Sequence, residues 1–251
     1  RQVTDRDEGI VDFDWGPDGE RVVIASRDPT DEQAEYLRER RDEDGPVEVD
    51  RLQHKFDGKG WLDDVTTYLF VVDIDTREER RLDDAYARGA GGAMGGPEPR
   101  WSPDGDRIAF HSYRGKDPDD TYVQNVYTIA PDGGDLTRVT DGDLAAERLT
   151  WNDDGSKLAF ASRTPDNWYV PTELYVADVE DGNYWSVSAS LDRTLAWGGP
   201  PQWIDDETIV ALIGDEARTR LCRFDATEDD PERVFEGQAE DESIVGLDLA
   251  A

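Results

Sequence analysis

The sequence predicts an all-β fold, a β-propeller of four-stranded antiparallel blades, and three observations predict it. A tryptophan followed by an acidic tight turn and an apolar strand occurs four times along the chain. Each copy is followed by a further apolar strand, a polar turn and a short final strand. The four tryptophans are 86, 50 and 52 residues apart. The last two spacings fall close to the ~40–50 residues that propeller blades repeat with.

The repeated unit opens with the tryptophan and its turn. In such a turn proline pre-sets φ, aspartate tolerates the bridge region and glycine can take a positive φ. The fourth copy has no glycine, so we expect a less regular turn there. The four copies are FDWGPDGERVVIAS (13–26), PRWSPDGDRIAFHS (99–112), LTWNDDGSKLAFAS (149–162) and PQWIDDETIVALIG (201–214). Seven residues define the repeat: Trp15, Gly19, Trp101, Gly105, Trp151, Gly155 and Trp203.

The strands after the turn complete a blade. The second strand of each unit is apolar at consecutive positions, as in Ile108-Ala109-Phe110, which predicts burial on both faces. Stacking of each blade on its neighbours would bury both faces in this way. The third strands are YLFVVDI (68–74), VYTIA (126–130), ELYVADV (173–179) and RLCRFDA (220–226). The fourth strands are ERRL (79–82), TRVT (137–140), WSVS (185–188) and ERVF (232–235).

The repeats define one domain fragment covering residues 1–251. Blade one spans about 9–83 with an insertion at 28–66, blade two 97–140, blade three 147–188 and blade four 200–236. Without its 39-residue insertion, the first spacing becomes 47 residues. The segment IVGLDL matches IVDFDW of blade one and predicts the start of a fifth blade at 243–249. The chain also begins without methionine, so we expect it to form an arc of a larger ring.

The insertion has two parts of different character. Residues 28–45 are highly charged, which predicts an exposed helix or loop. Residues 46–64 alternate in a strand-like way around Val47, Val49 and Leu52. We interpret this second part as an excursion anchored on the blade edge.

The charge of the chain is strongly negative. Sixty acidic residues stand against 27 basic ones, giving a net charge of −33. Only four of the basic residues are lysines. This lysine-poor acidic composition resembles that of proteins from halophilic archaea, in which molar salt screens the self-repulsion. An acidic tail is the alternative, but the acidic residues are spread along the whole chain. Because nothing neutralises phosphates, nucleic acid is not an expected partner.

The remaining sequence features do not indicate a reactive, phosphate-binding or metal-binding site. Cys222 is the single cysteine and allows no internal disulfide, and no segment resembles a membrane span or signal peptide, so we expect a cytoplasmic protein. The glycine-rich run 88–99 lacks the Gly-Lys-Ser/Thr of a phosphate loop and predicts a flexible link. The acidic clusters 117–121 and 152–155 lack the ligand spacing of a calcium loop. We therefore expect neither a metal nor a cofactor.

The Trp-Ser-Pro-Asp-Gly blades resemble the repeats of TolB-type proteins and of the prolyl oligopeptidase family of serine peptidases. The insertion segment VDRLQHKFDGKGWLDD (49–64), leading into 66–82, and the long outer connections are similar to the acylaminoacyl-peptidase and dipeptidyl-peptidase-like branch. The resemblance implies a propeller that limits access of peptides to an α/β-hydrolase domain with a Ser-Asp-His triad. The alternative is a TolB-like interaction scaffold without a hydrolase.

This sequence departs from the peptidase pattern where catalysis is concerned. It contains no Gly-x-Ser-x-Gly nucleophile elbow, and its histidines, His54 and His111, have no serine in a suitable context. We therefore expect no catalytic residues in this chain. The resemblance implies a hydrolase domain of the same polypeptide and short peptides as partners, and the interrupted fifth blade implies open edges through which a homo-oligomer could form.

The connections between second and third strands are long in the first three blades, at 27–66, 113–125 and 163–172. Long loops on a rigid scaffold are where binding usually occurs. We take Tyr113, Arg114, Trp168 and Tyr169 as candidates for contact with peptide or with the hydrolase domain. The alternative is that they cover blade edges. For the repeated tryptophans we expect packing between blades and not a carbohydrate platform.

Overall fold

The computed structural model describes residues 2–42, 45–49, 51–88, 95–167, 169–234 and 244–247. The first sheet and its insertion comprise β1 (Asp12–Trp15), β2 (Arg21–Arg27), α1 (Asp31–Asp42), β3 (Lys55–Phe56), β4 (Gly60–Trp61), β5 (Thr67–Asp73) and β6 (Glu79–Ala87). The second sheet comprises β7 (Arg100–Trp101), β8 (Ile108–Ser112), β9 (Asn125–Ile129) and β10 (Thr137–Arg138). The third comprises β11 (Glu147–Trp151), β12 (Lys157–Ser162), β13 (Glu173–Asp178) and β14 (Tyr184–Ser186). The fourth, after a short 3-10 turn at Ala189–Leu191, comprises β15 (Thr194–Leu195), β16 (Gln202–Trp203), β17 (Thr208–Asp215), β18 (Arg218–Asp225) and β19 (Glu232–Arg233).

The four sheets are copies of one antiparallel meander. In each of the first three, the four strands pair in the order in which they follow one another, with the insertion hairpin β3–β4 standing apart. The first strands of successive sheets touch: β1 contacts β7, β7 contacts β11, and β11 contacts β16. The sheets therefore stand side by side around an axis, each with its first strand innermost. The predicted all-β class with four-stranded antiparallel sheets is confirmed.

The core consists of layers between neighbouring sheets. The second strands β2, β8, β12 and β17 are buried on both faces along nearly their whole length. One apolar cluster joins sheets one and two, a second joins sheets two and three, and a third joins sheets three and four. Burial on both faces explains why these strands show no polar alternation.

Sheet four departs from the repeat. Its innermost strand is divided into β15 and β16, which both pair with β17. β15 precedes the predicted range of blade four, 200–236. The turn after β16 closes with a hydrogen bond from Ile204 N to Thr208 O at 2.9 Å, one residue shorter than the other turns. The missing glycine thus coincides with a different turn, as the sequence predicts.

The insertion folds as a helix followed by a small hairpin. Thr30 and Gln33 form a reciprocal capping box at the start of α1, and arginines occupy its last turn. The strand-like alternation around Val47, Val49 and Leu52 does not correspond to a strand, because the described residues there form none. Val49 and Leu52 are exposed, so no apolar face drives strand formation. The hairpin lies further on, where Gly58 and Gly60 supply positive φ.

The segment 244–247 lies against sheet four. Ile244 N donates to Thr219 O at 3.2 Å, and Leu247 N donates to Gly198 O at 3.3 Å. These four residues contain no strand, and residues 243, 248 and 249 lie outside the described part of the chain. The fifth blade therefore stays a prediction.

Candidate functional site

Antiparallel order gives the two ends of the sheets different connections. One end carries the turns between first and second strands, and we call it the turn face. The other end carries the connections between second and third strands, and we call it the loop face. The loop-face connections are 28–66, 113–124, 163–172 and, in sheet four, only Glu216–Ala217. The first strand of every sheet begins at the loop face.

The turn face repeats one local geometry. In sheet two Ser102 N donates to Arg107 O at 2.8 Å, and Gly105 N donates to Ser102 O at 2.9 Å. The same two bonds occur in sheets one and three. The turn aspartate accepts further backbone bonds, as Asp104 does from Asp106 N at 3.0 Å. The φ values of Gly19, Gly105 and Gly155 are 70°, 75° and 72°.

Successive turns interlock through their repeat residues. A Cβ on Gly105 would meet Pro17 of the preceding blade at 3.1 Å, and a Cβ on Gly155 would meet Pro103 at 3.5 Å. The arginine six residues after each of the first two tryptophans lies over the next tryptophan: Arg21 over Trp101 at 4.9 Å, and Arg107 over Trp151 at 5.7 Å. The turn face is therefore occupied by contacts between blades.

Two tryptophans also hydrogen-bond to the blade before them. Trp151 Nε1 donates to Arg100 O at 3.0 Å, and Trp203 Nε1 donates to Thr150 O at 3.3 Å. The N–H groups of these indoles are therefore used in contacts between blades.

The loop face is dominated by a clamp between the insertion and blade two. Arg51 lies 13% exposed and pairs with Asp119, which is 17% exposed. Arg51 Nε donates to Asp119 Oδ2 at 3.0 Å, and its Nη2 reaches the other carboxylate oxygen. Arg51 Nη1 also donates to Asp63 O at 2.7 Å. Burial would lower the pKa of Arg51, but Asp119 and its neighbours raise it, so the cation is retained.

A second ionic network ties the insertion to blade one. Arg27, at the end of β2, pairs with Asp63 at 2.6 Å and with Glu8 at 3.4 Å. Arg41 of α1 donates to Glu8 at 2.7 Å. The hydrogen bond from Arg41 lowers the pKa of Glu8 despite its partial burial. The helix is thus fixed to the loop face by charge pairs and by the buried Leu37.

The insertion encloses a cavity against blades one and two. Its volume is about 330 Å³, which lies at the lower end of the range of small-ligand pockets. Lysine, arginine and aspartate side chains, one tryptophan and two threonines line it together. Its charged lining includes Arg27, Arg51, Lys59, Asp63, Asp64, Arg88 and Asp119. The cavity opens on the face where the long connections meet.

A polar cluster lies at the loop-face end of the innermost strands. His111 is buried; its Nδ1 lies 3.3 Å from Gln124 Oε1 and its Nε2 lies 3.7 Å from Glu98. Arg148 N donates to Glu98 at 2.6 Å. Burial disfavours the charged forms, but the neighbouring opposite charges raise the pKa of His111 and lower the pKa of Glu98 to about 2. The ring and the carboxylate therefore form an ion pair when His111 is protonated.

Strained backbone marks the same cluster. Glu98 and Arg148 are the third residues before their blade tryptophans, and both have positive φ, 44° and 58°. Arg148 Nη1 donates to Ala196 O at 2.7 Å, and its guanidinium lies over the Trp197 ring, which is 80% exposed. Non-glycine residues held at positive φ cluster at functional sites. Three successive blades thus contribute to one corner of the loop face.

The structure places the candidate contact residues differently from one another. Arg114 lies between blades one and two, with its guanidinium over Tyr86 at 4.3 Å and over Tyr127 at 4.9 Å. Tyr113 folds over Gly115, and Tyr169 is 98% exposed. Trp168 lies outside the described residues. The position of Arg114 favours the covering of a blade edge, whereas Tyr169 is free to contact a partner.

Sequence reasoning missed the two main polar features of the loop face. Arg51 and Asp119 are far apart in the sequence, and neither belongs to the repeat. The Glu98–Arg148 pair could have been found by aligning the position three residues before each tryptophan, where both are charged.

The described residues contain no catalytic constellation of the serine-hydrolase type. His54 contacts Leu52 O and stacks on Trp61, and His111 contacts Gln124 and Glu98, so neither ring meets a serine. Burial raises the pKa of the Cys222 thiol to about 12. Within the described ranges, no three metal-ligating side chains are grouped as a metal site. The one described α-helix is too short and too charged to cross a membrane.

Comparison with known proteins identifies the class of fold. No protein-family model matches the chain. It is 28% identical over 131 residues to an uncharacterised peptidase, YuxL, of Bacillus subtilis, a match covering 51% of this chain and 19% of that protein. Among solved structures, the acylaminoacyl peptidase of Pyrococcus horikoshii aligns with a TM-score of 0.60 and 18% identity, over 91% of this chain and 32% of that one. A putative TolB of Agrobacterium tumefaciens aligns with a TM-score of 0.56 and 14% identity, over 94% and 65%.

These likenesses show a β-propeller fold of the kind found in peptidase propellers and in TolB. The distant peptidase relative and the peptidase structure extend well beyond the aligned region. The chain spans about a fifth of the curated relative and a third of the solved peptidase.

Proposed function

We propose that this chain is the non-catalytic propeller of an acylaminoacyl-peptidase-like serine peptidase. It gates the entry of short peptides to an α/β-hydrolase domain elsewhere in the same polypeptide. A rigid ring with elaborated loops on one face excludes folded proteins sterically and admits flexible peptides. The chemistry itself belongs to the hydrolase domain, because the described residues of the propeller hold no nucleophile–base pair.

The observation that carries the proposal is the asymmetry of the two faces. The turn face is closed by repeated contacts between blades, whereas the loop face bears the insertion, its cavity and the exposed Tyr169 and Trp197. A surface that serves only as scaffold has no need of a 39-residue insertion clamped by two ionic networks. We assign the loop face to the hydrolase domain and to arriving peptide.

The test uses the longer protein with acylated peptides of increasing length as substrates. We expect hydrolysis of short acyl-peptides and none of a folded protein. Deleting residues 31–61, which contain α1 and the hairpin, should increase kcat/KM for long peptides and leave the shortest substrate unchanged. Asp119→Asn, which removes only the charge of the clamp, should shift length selectivity in the same direction but less.

Two results would contradict the gating proposal. One is a longer protein without a nucleophile elbow and without hydrolysis of any acyl-peptide. The other is an insertion deletion that folds, hydrolyses the shortest substrate normally and keeps the original length limit. The first result would favour a TolB-like interaction scaffold, which the TolB likeness supports as the second candidate.

We also propose that the protein works at high salt. The net charge of −33 opposes compaction in dilute buffer. The Debye length falls from about 10 Å at 0.1 M to about 3 Å at 1 M salt, so molar salt screens this repulsion. We expect Tm to rise steadily between dilute buffer and 2–3 M KCl. An unchanged Tm over that range would contradict the proposal.

A further inference from the structure

The cavity between the insertion and blades one and two, which we call the insertion cavity, has a charge balance opposite to that of the chain. Its charged lining consists of Arg27, Arg51, Lys59, Asp63, Asp64, Arg88 and Asp119. Among these described lining residues, cations outnumber acids by four to three. The whole chain has 60 acidic residues against 27 basic ones, more than two acids for each base. The cavity reverses that ratio.

The three acids of the lining are each engaged by an arginine. Arg27 Nη2 donates to Asp63 Oδ1 at 2.6 Å. Arg51 Nε donates to Asp119 Oδ2 at 3.0 Å, and Arg51 Nη1 donates to Asp64 Oδ1 at 3.1 Å. Because each carboxylate is paired, the acids contribute little negative potential to the interior of the cavity.

Two further cations of the lining come from different parts of the fold. Lys59 lies in the turn of the β3–β4 hairpin, where its backbone N donates to Phe56 O at 3.1 Å. Arg88 follows β6 of blade one, and its Nη2 donates to Gly115 O at 3.2 Å. A carbonyl oxygen does not neutralise a guanidinium, so Arg88 keeps its positive charge at the cavity wall.

The pKa of Lys59 reflects the positive potential around it. Burial lowers this pKa, and the neighbouring Arg27 lowers it further. A dominant carboxylate neighbour would raise the pKa of a lysine instead. The hairpin turn therefore lies in a region of positive potential, on a chain whose net charge is −33.

The lining also has an apolar part. Val11, Trp61, Leu62, Val65 and Pro118 contribute to it. A cavity of about 150 Å³ is large enough for benzene. The insertion cavity, at about 330 Å³, therefore has room for a ring of that size together with a charged group and a short linker.

We propose that the insertion cavity binds a small organic carboxylate with an apolar body of about the size of a phenyl ring. Lys59 and Arg88 attract the carboxylate, and the body packs against Trp61 and Leu62. The described lining carries one cation more than it has acids, which matches a single negative charge better than a phosphate dianion. The proposal is independent of the gating proposal, because binding is measured on this chain by itself.

A bound carboxylate would connect the insertion to blade one. Lys59 belongs to the insertion, whereas Arg88 belongs to the end of blade one. A ligand that binds the assembled cavity stabilises the conformation in which these two side chains face it. Binding should therefore slow the amide exchange of residues 51–67.

The test compares an acid with a neutral molecule of the same shape. N-acetylphenylalanine is the probe and N-acetylphenylalanine amide is its control, and calorimetry measures both affinities at the lowest KCl concentration that keeps the chain folded. We expect the acid to bind and the amide to bind about tenfold more weakly, as the loss of one charge-assisted hydrogen bond would give. Added KCl should weaken binding of the acid, because salt screens the attraction. Amide exchange measured with the acid should slow at residues 51–67.

A pair of lysine variants assigns the charge effect to the cavity. Lys59→Gln should weaken binding of the acid about tenfold and leave binding of the amide unchanged. Lys157→Gln, at the start of β12 and outside the cavity lining, is the matched control and should change neither affinity.

Four results would overturn the proposal. They are the absence of binding by the acid, equal affinities of acid and amide, equal effects of the two lysine variants, and slower exchange only outside the insertion. Tighter binding of inorganic phosphate than of N-acetylphenylalanine would overturn the choice of a carboxylate.

A further arm distinguishes two sources of the same carboxylate. It uses an acetylated tetrapeptide that ends in phenylalanine, with its C-terminal amide as the control. Equal affinity of the tetrapeptide and of N-acetylphenylalanine would show that the cavity takes the carboxyl end of a peptide. Binding of N-acetylphenylalanine alone would show that it takes a separate small acid, and either result supports the carboxylate site.

Discussion

The two faces of this propeller are built by different rules. On the turn face three blades repeat the same pair of backbone hydrogen bonds, and the two seams between them repeat the same proline-on-glycine contact. On the loop face no two connections are alike, and the ion pairs that hold the insertion, Arg51–Asp119 and Arg27–Asp63, have no counterpart in the repeat. The difference shows that the repeat specifies the scaffold, while single unrepeated pairs specify the face that meets a partner.

The largest expected effect compares a covered tryptophan with an uncovered one. Trp101→Ala removes a buried ring from the seam between blades one and two and should lower the free energy of unfolding by about 3–5 kcal/mol. Trp15→Ala removes a half-exposed ring and should cost less than half as much. Chemical denaturation of both variants checks this. Equal losses would mean that the seam does not depend on the buried indole.

A second comparison concerns glycines of the same turn. Gly105→Ala meets both a positive φ and Pro17, whereas Gly19→Ala meets only the positive φ. Left-handed backbone costs about 1–2 kcal/mol for a non-glycine residue, so Gly19→Ala should lose about that much and Gly105→Ala more. The two midpoints of denaturation, measured side by side, test whether turn packing adds to backbone strain. A smaller loss for Gly105→Ala would contradict the interlocking of the turns.

On the loop face, Arg51→Ala should loosen the insertion without unfolding the sheets. Hydrogen bonds to charged groups contribute about 1.5–3 kcal/mol each when a partner is left unpaired. We expect faster amide exchange across residues 31–61 and little change in β8 or β12. Arg38→Ala, an exposed arginine of α1, is the control. Uniformly faster exchange over the whole chain would show that the clamp supports the core instead.

The smallest expected effect is a pH dependence from the Glu98–His111 pair. The lowered pKa of Glu98 contributes stability above pH 4.5 that is lost as the pH falls toward about 2. The raised pKa of His111 contributes stability below pH 6.5 that is lost as the pH rises through the folded value. His111→Gln should therefore flatten the alkaline side of the stability profile. An unchanged stability profile in this variant would show that the Glu98–His111 pair does not contribute to the pH dependence of stability.

The sequence predicts the repeated features of the turn face, but it does not predict the single contacts of the loop face. The Trp-turn repeat, the doubly buried second strands and the positive φ of Gly105 depend on local chemistry that recurs, so the pattern indicates them. The clamp of Arg51 on Asp119 and the stacking of Arg114 depend on which residues the fold brings together. The segment 49–64 that carries the peptidase resemblance contains Arg51, but nothing in the local sequence indicates that Asp119 is its partner.

The split inner strand of blade four could not be predicted for a similar reason. Thr194 and Leu195 precede the repeat unit and carry no turn signal, yet they pair with Gly214 and Ile213. Around Val47 and Val49 the sequence shows a strand-like pattern, but the structure has no strand there. Alternating apolar residues form a strand only where a neighbouring sheet can bury them.

The buried thiol of Cys222 has a practical consequence. With its pKa near 12, it forms almost no thiolate at neutral pH and stays out of reach of maleimide reagents. An introduced cysteine at Tyr169 would therefore be labelled alone, without removing the native residue first. A dye or spin probe placed there would report directly on whatever molecule approaches that side of the protein.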